Sequence, residues 1–146
     1  MALALDLSGR VVLVTGGRRG IGLGITEAFR AAGARVLTCS RSEVGAPDHY
    51  VCDVRDPDAV RGLVTQVVTD AGRLDVLVNN AGGAPYALAA DASARFHDRV
   101  VGLNLLAPLA CAQAANAVMQ EQEGGGAIVN VSSVSAGRPS PGTAHS

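Results

Sequence analysis

The sequence predicts an α/β fold in which helices flank a doubly wound parallel sheet of about five strands. Short, valine-rich apolar runs recur along the chain, and several are continuous rather than alternating, as is typical of strands buried on both faces of a parallel sheet. Segments with helical periodicity separate these runs and give repeated βαβ units. A glycine-rich turn joins the first run to the first helix. The 146 residues contain no linker-like segment, so one domain over residues 1–146 is predicted.

The predicted strands carry the continuous apolar runs. They cover residues 11–14, 35–39, 50–52, 74–78 and 127–131. The first helix is predicted over residues 21–32, where apolar side chains recur at helical spacing, and Gly33 marks its end.

The second and third predicted helices differ in how their ends are marked. Asp56 and Pro57 form a typical start for the second, with an acid at the cap and proline in the first turn, and Gly72 ends it. The third is predicted as one helix from about residue 93 to about residue 122. It is apolar most of the way round, so it needs burial on every side. We therefore expect the full-length protein to be a homo-oligomer through this helix, and the isolated chain to be poorly soluble or partly ordered.

Composition and charge exclude several classes of function. Hydrophobic residues make up 48% of the chain and the net charge is −1, which argues against a disordered chain and against a nucleic-acid binder that relies on positive charge. All 12 basic residues are arginine, so lysine chemistry such as a Schiff base or a phosphate-loop lysine is excluded for this chain. No histidines lie at metal-ligand spacing, and no metal site is predicted.

The cysteines and the apolar segments bear on the compartment. Cys39, Cys52 and Cys111 are scattered, which is typical of buried thiols in a reducing compartment. No basic leader precedes an apolar segment near the start, so no secretory signal is predicted. Polar residues interrupt the apolar stretch 103–119, which argues against a membrane span. We expect a cytoplasmic protein that does not bind membranes.

The turn after the first strand carries glycines at Gly16, Gly20 and Gly22, in the spacing G-x-x-x-G-x-G. Glycines there allow the backbone to approach a pyrophosphate closely, and the N-terminus of the following helix offers free N–H groups and a favourable dipole. The same turn also carries Arg18, Arg19 and Ile21, which places them beside such a ligand. The alternative is a strand-to-helix turn that binds nothing.

Four motifs in this order resemble the short-chain dehydrogenase/reductase family over essentially the whole chain. They are the loop of residues 15–22, Cys52-Asp53-Val54, Asn79-Asn80-Ala81-Gly82, and the segment 128–133, which ends in Ser132-Ser133. The resemblance implies a Rossmann-like fold and an NAD(P)-dependent oxidoreductase that transfers hydride between an alcohol and a ketone. It also implies that Asp53 and Val54 hold the adenine ring, that Asn80 braces the centre of the sheet, and that Ala81 and Gly82 line the ribose pocket.

Two of these implied roles have structural alternatives. Asp53 could cap a helix or stabilise a turn, and Asn79 and Asn80 could satisfy backbone groups at a strand end.

The end of the second strand bears on the choice of cofactor. A domain that prefers NAD places an acid there to bind the ribose 2′-hydroxyl, whereas this chain has Ser40 followed by Arg41. Guanidinium groups bind a 2′-phosphate by charge-assisted hydrogen bonds, whereas a carboxylate would repel the phosphate. We therefore expect NADP(H) to be preferred, with NAD(H) as the second choice. The alternative is that Arg18, Arg19 and Arg41 are solvated surface charges.

The catalytic residues are implied only in part. By resemblance, Ser133 polarises the substrate oxygen and Asn104 anchors a water relay. The family's tyrosine would follow Ser133 by about 13 residues, at Ser146 or beyond, and its lysine one helical turn later. Tyr50 and Tyr86 lie in other motifs. The chain is therefore expected to be a partial sequence, truncated before the catalytic helix and inactive alone.

Several functions compete with that expectation. A non-catalytic dinucleotide-binding module remains the main alternative to an enzyme acting on a small alcohol or carbonyl substrate. Ser133 lacks the G-x-S-x-G context of a serine hydrolase, and a nucleotide-sugar epimerase usually spaces its loop glycines differently.

Overall fold

The computed structural model describes residues 5–138 and contains a five-stranded parallel sheet in the order β3-β2-β1-β4-β5. The strands are β1 (Val11–Thr15), β2 (Arg35–Ser40), β3 (His49–Val51), β4 (Val76–Asn79) and β5 (Ala127–Asn130). The helices are α1 (Gly20–Ala31), α2 (Pro57–Ala71), α3 (Ala94–Val101) and α4 (Ala107–Met119). The predicted class is confirmed. From β1 the chain builds β2 and β3 on one side and β4 and β5 on the other, so the order reverses between β1 and β4.

Each of the three central strands is buried on both faces. On one face, Leu13, Leu37 and Leu77 pack in a core that includes side chains of α2 and α4. On the other face, Val12 and Val36 belong to a second core, which Ile25 and Phe29 of α1 help to cover. Because helices cover both faces, these strands need apolar side chains at successive positions, which explains the continuous valine runs.

The ends of α2 lie where the sequence predicts them. The Asp56 side chain accepts hydrogen bonds from the backbone N–H groups of Asp58 at 2.9 Å and Ala59 at 3.3 Å, and Pro57 is the first helical residue. Gly72 follows the helix with a φ of +79°, a left-handed conformation that glycine adopts without the Cβ clash of other residues.

A buried carboxylate joins the amino ends of β1 and β4. Asp75 is 5% exposed and accepts hydrogen bonds from Arg10, from Arg73 through two nitrogens, and from the backbone N–H of Val11, at 2.7–2.9 Å. Burial favours a higher pKa for Asp75, but the hydrogen bonds from Arg73, Val11 and Arg10 outweigh it, and the pKa of Asp75 is lowered. This group of residues was not anticipated from the sequence.

The third predicted helix is present over Ala94–Met119, but it is not α-helical throughout. A π-helical segment, Gly102–Leu106, separates α3 from α4, and the N–H of Ala107 donates to the carbonyl of Gly102, five residues earlier. Pro108 has no N–H to donate to the carbonyl of Asn104, so the α-helical pattern cannot continue at that position. The helical region ends at Met119 rather than near residue 122.

One side of this long helical region is buried and the other is exposed. α4 packs against α2 and β4 through Ala107, Cys111, Ala115 and Met119. Val101, Leu105, Leu106 and Leu109 are each 45–56% exposed. By length and composition alone, the stretch Ala94–Met119 is sufficient to cross a membrane, a criterion that core helices of soluble proteins also meet.

Candidate functional site

A cleft of about 780 Å³ opens at the carboxyl ends of β1, β2 and β4. Its walls contain every residue that the sequence predicts to contact the cofactor, namely Gly16, Arg18, Arg19, Gly20, Ile21, Gly22, Ser40, Arg41, Asp53, Val54, Asn80, Ala81 and Gly82. The remaining wall residues, which the sequence analysis did not assign to the cofactor, are Cys39, Ser42, Val44, Cys52, Arg55 and Leu103. The sheet therefore brings residues from segments distant in sequence to the switch point between β1 and β4.

The glycine turn and α1 pack too closely for side chains at two positions. A Cβ on Gly22 would overlap the carbonyl oxygen of Gly16 and lie 2.5 Å from Asn80 Nδ2. A Cβ on Gly17 would lie 2.6 Å from Thr38 Cγ2. Gly17 was not singled out from the sequence because its constraint comes from side chains of β2, α1 and β1, not from the turn. These glycines allow the first turn of α1 to face the cleft with little side-chain bulk.

The N-terminus of α1 can act as an anion site. Arg19 is the residue before the helix, and its side chain makes no hydrogen bond to the first turn. The first N–H groups of a helix lack intrahelical partners and carry the positive end of its dipole. Their position on the cleft wall suits a negatively charged group such as a pyrophosphate.

Thr15 and Asn80 fix the turn relative to β4. Asn80 Nδ2 donates to the carbonyl oxygens of Thr15 at 2.9 Å and Gly16 at 3.3 Å. The hydroxyl of Thr15 accepts from the backbone N–H groups of Asn80 and Ala81 at 3.0 and 2.9 Å. Thr15 is 2% exposed, and its role was missed because a threonine ending a strand gives no distinct sequence signal.

The arginines of the cleft differ in whether they are paired. Arg55 donates to the carboxylate of Asp53 through Nε and Nη2, the latter at 2.6 Å. Within residues 5–138, Arg18, Arg19 and Arg41 form no ion pair. The hydrogen bond from Arg55, with a smaller contribution from the charge of Arg41, lowers the pKa of Asp53. Asp53 thus remains ionised and is held by Arg55, while Asp56 caps α2.

The inner wall of the cleft is closed by thiols. Cys39 and Cys52 lie there, and Cys111 lies in the same core. All three are free and buried. Burial raises the pKa of Cys39 and of Cys52, and raises that of Cys111 to about 12. The thiolate forms are therefore disfavoured, and these residues act as small apolar groups.

The two candidate catalytic residues lie outside the cleft walls. Asn104, in the π-helical segment, accepts a hydrogen bond from the N–H of Gly83 and donates to the carbonyls of Gly83 and Val100, at 2.9–3.0 Å. It therefore clamps the loop that follows Gly82 on the cleft wall. Ser133 precedes a short 3₁₀ turn, and its hydroxyl accepts from the N–H of Ser135 at 3.2 Å.

Both tyrosines lie in segments other than the one that contains Ser133. Tyr50 donates to Asp70 on α2 at 2.6 Å, and Tyr86 is 74% exposed in the loop after β4. The position near Ser146 at which the family's tyrosine is expected lies outside the described residues. Among residues 5–138, no cluster of three or more His, Cys, Asp and Glu side chains is arranged to hold a metal.

Comparison with known proteins agrees with this architecture. Residues 10–145 match the family model described as short chain dehydrogenase. The chain is 35% identical to L-fucose dehydrogenase of Bos taurus, over 92% of this chain and 53% of the relative. It is 37% identical to D-threitol dehydrogenase of Mycolicibacterium smegmatis, over 89% and 55%.

A solved structure gives the same result. The crystal structure of a short chain dehydrogenase from Mycobacterium smegmatis superposes with a TM-score of 0.86 at 36% identity, covering 97% of this chain and 65% of that one. The chain thus spans about half the length of the curated relatives it matches.

Proposed function

Because the chain belongs to the short-chain dehydrogenase family, we propose that it forms the nucleotide-binding part of an oxidoreductase that transfers hydride between an alcohol and a ketone. The proposed cofactor is NADP(H), with NAD(H) as the weaker ligand. The observation that carries this choice is the charge of the cleft. Arg18, Arg19 and Arg41 line it without carboxylate partners among the described residues, and Ser40 ends β2 in place of an acid.

The residues of the cleft fit a dinucleotide. The volume of the cleft, about 780 Å³, lies within the range of roughly 300–1,000 Å³ found for ligand pockets. A Cβ on Gly22 would fill the space beneath the turn. The N-terminus of α1 would hold the pyrophosphate, Asp53 and Val54 the adenine, and Ala81 and Gly82 the ribose. The bound nicotinamide would donate or accept the hydride.

The preference for NADP(H) follows from the strength of charged hydrogen bonds. A guanidinium that hydrogen-bonds a phosphate oxygen contributes about 1.5–3 kcal/mol. That contribution corresponds to about 10- to 100-fold in affinity. Arg41 follows Ser40 directly, where a 2′-phosphate would lie, whereas a 2′-hydroxyl offers no charge to bind.

The proposed substrate is a small alcohol or carbonyl compound. Relatives of this chain are named for L-fucose and D-threitol, both small hydroxylated molecules. Ser133 would polarise the substrate oxygen, and Asn104 would hold a water in a proton relay. The family's mechanism also needs a tyrosine whose pKa is lowered by a nearby lysine. This chain contains no lysine, so we propose that it binds nucleotide but does not turn over substrate by itself.

A non-catalytic dinucleotide-binding module is the second candidate. Such a module would need only the cleft that the described residues form. The two candidates differ in one measurement, because a longer polypeptide carrying a tyrosine and a lysine after Ser133 would oxidise or reduce substrate, whereas a regulatory module would bind NADP(H) without turnover.

The proposal includes location and assembly. We place the protein in the cytoplasm, and the exposed leucines of the π-helical segment and α4 support a homo-oligomer of the full-length protein. Light scattering on the purified protein, at a concentration well above the dissociation constant of a weak dimer, would show whether the protein associates.

The cofactor proposal is tested by titrating the folded chain with NADPH and NADH and following nicotinamide fluorescence. NADPH is expected to bind more tightly, and Arg41→Asp is expected to reduce the ratio of the two affinities by at least about tenfold, because it removes a cation and adds an anion beside the phosphate. Arg61→Asp is the matched control, since Arg61 lies on α2, pairs with Asp58 and does not line the cleft. Equal affinities for the two nucleotides, or an unchanged ratio in Arg41→Asp, would refute the preference.

A further inference from the structure

We propose that His49 is a positioning residue for the 2′-phosphate and makes the preference for NADP(H) over NAD(H) depend on pH. This inference rests on the proposed function of the cleft, because it concerns the part of the wall assigned to the ribose phosphate. It adds a residue that does not itself line the cleft.

The imidazole of His49 lies directly behind that wall. His49 is the first residue of β3 and pairs in register with Thr38 of β2. Its Nδ1 lies 2.8 Å from Thr38 Oγ1, and its Nε2 lies 3.0 Å from Ser40 Oγ and 3.3 Å from the carbonyl oxygen of Ser42. Ser40 and Ser42 line the cleft and His49 does not, so His49 contacts two residues of the wall without forming part of it.

These contacts can accommodate the imidazole in both protonation states. In the neutral form, Nε2–H donates to Ser40 Oγ, and the hydroxyl of Thr38 donates to Nδ1. In the protonated form, Nδ1–H donates to Thr38 Oγ1, and the hydroxyl of Thr38 turns to the carbonyl of Asp48, 3.4 Å away. Protonation of His49 therefore breaks no side-chain contact that holds it.

The hydrogen bond from Nε2 also orients Ser40. An oxygen that accepts from His49 keeps its own hydrogen free to donate elsewhere. The Ser40 hydroxyl donates to the carbonyl of Ser42 at 3.1 Å. A phosphate in the cleft would be the stronger acceptor, since charge-assisted hydrogen bonds are about twice as strong as neutral ones.

A positive charge on His49 would favour a phosphate over a hydroxyl. The charge would lie one side chain behind the phosphate and act on NADP(H), whereas a 2′-hydroxyl carries no charge to attract. Histidine is the side chain that ordinarily changes charge between pH 5 and 8. The ratio of affinities for NADP and NAD should therefore rise as the pH falls through this range.

The other ionisable groups around His49 are carboxyl groups, guanidinium groups and one phenol. The Asp48 carboxylate is paired with Arg35 at 3.0 Å, and carboxylates and guanidiniums as classes do not titrate between pH 6 and 8. Burial and the adjacent Asp70 raise the pKa of Tyr50 to about 12, so it stays neutral. The remaining charged residues of the flanking segments are Glu27 and Arg30 on α1, and Arg41 and Glu43 after β2.

The test measures the dissociation constants of NADP⁺ and NAD⁺ by calorimetry on the folded chain near pH 6.5 and near pH 8.5. In the wild type, the ratio of NAD⁺ to NADP⁺ dissociation constants is expected to rise about three- to tenfold as the pH falls. His49→Gln keeps a side-chain N–H for Ser40 but cannot gain charge, so it should retain the preference near pH 8.5 and lose this rise. His97→Gln, on α3 and away from the cleft walls, is the matched control and should behave as wild type.

The phosphate of NADP⁺ also titrates, with a second pKa near 6, but this contribution is common to all variants. A wild-type ratio that does not rise towards low pH relative to the ratio in His49→Gln would overturn the inference. An equal rise in wild type and His49→Gln would overturn it as well. If the wild type shows no preference for NADP⁺ at either pH, the proposed cofactor is wrong; if the preference is present but His49→Gln shares its pH dependence, only the role of His49 is wrong.

Discussion

Two glycines of α1 that lie two residues apart should respond in opposite ways to the same substitution. A Cβ on Gly22 would overlap the carbonyl oxygen of Gly16 and approach Asn80 Nδ2 to 2.5 Å, while a Cβ on Gly24 would meet nothing within 4 Å. Both residues lie in the helix, so alanine should gain about 1 kcal/mol of helix propensity at either position. Only the packing differs between them.

The clash at Gly22 is with groups that cannot move aside cheaply. The Gly16 carbonyl belongs to the backbone of the turn, and Asn80 Nδ2 is held by hydrogen bonds to Thr15 and Gly16. Overpacking of this kind costs about 1–3 kcal/mol. With the helix propensity subtracted, Gly22→Ala should destabilise the chain by up to about 2 kcal/mol, and Gly24→Ala should stabilise it by up to about 1 kcal/mol.

The turn should also lose its ligand geometry in Gly22→Ala. Relief of the clash requires the first turn of α1 to move away from Gly16, which displaces the N–H groups proposed to bind the pyrophosphate. We expect NADPH affinity to fall at least about tenfold in Gly22→Ala and to stay unchanged in Gly24→Ala. Urea unfolding followed by circular dichroism gives the stabilities, and nicotinamide fluorescence gives the affinities. Equal stabilities and affinities in the two variants would refute the packing argument.

Two further predictions concern stability away from the cleft. Asp75→Asn should lower the free energy of unfolding at neutral pH by about 2–3 kcal/mol, because Arg10 and Arg73 lose a buried partner. Folding lowers the pKa of Asp75 below its ordinary value of 3.8, so the stabilisation by Asp75 is present above about pH 4 and is lost as the pH falls through the folded pKa. Urea titrations from neutral to acid pH should therefore show a smaller acid-induced loss of unfolding free energy in Asp75→Asn than in the wild type. Parallel curves of unfolding free energy against pH would contradict this. Asp56→Ala should cost about 1 kcal/mol through loss of the cap of α2, measurable as a lower Tm, while Asp58→Ala at the neighbouring exposed position should cost less.

The strands of the sheet could be predicted from the sequence because the pattern that marks each strand lies within one short segment. Every strand lies within two residues of its predicted bounds, since strands buried on both faces need continuous apolar side chains. The glycine turn could be predicted from the sequence for the same reason. Its spacing is set within one segment, where the backbone must bend and approach α1.

The remaining features depend on contacts between distant segments. The pairing of Asp75 with Arg10 spans 65 residues and follows from the alignment of β1 with β4. The contact of His49 with Ser40 depends on the register between β2 and β3. Pro108 was visible in the sequence, but a proline can end, kink or widen a helix, and the packing of α4 on the sheet decides among these outcomes.

The two halves of the proposed site differ in burial, and this separates nucleotide binding from turnover. The turn around Gly16 is braced by Thr15, which is 2% exposed, and is closed by buried side chains of β1 and β2. Ser133 instead follows β5, all of whose residues are exposed although it belongs to a parallel sheet, a class normally covered on both faces. The position of Ser133 should therefore depend on whatever covers β5, whereas that of the turn should not. Nucleotide affinity thus tests the part of the fold that is buried among the described residues, while activity tests the part that these residues leave exposed.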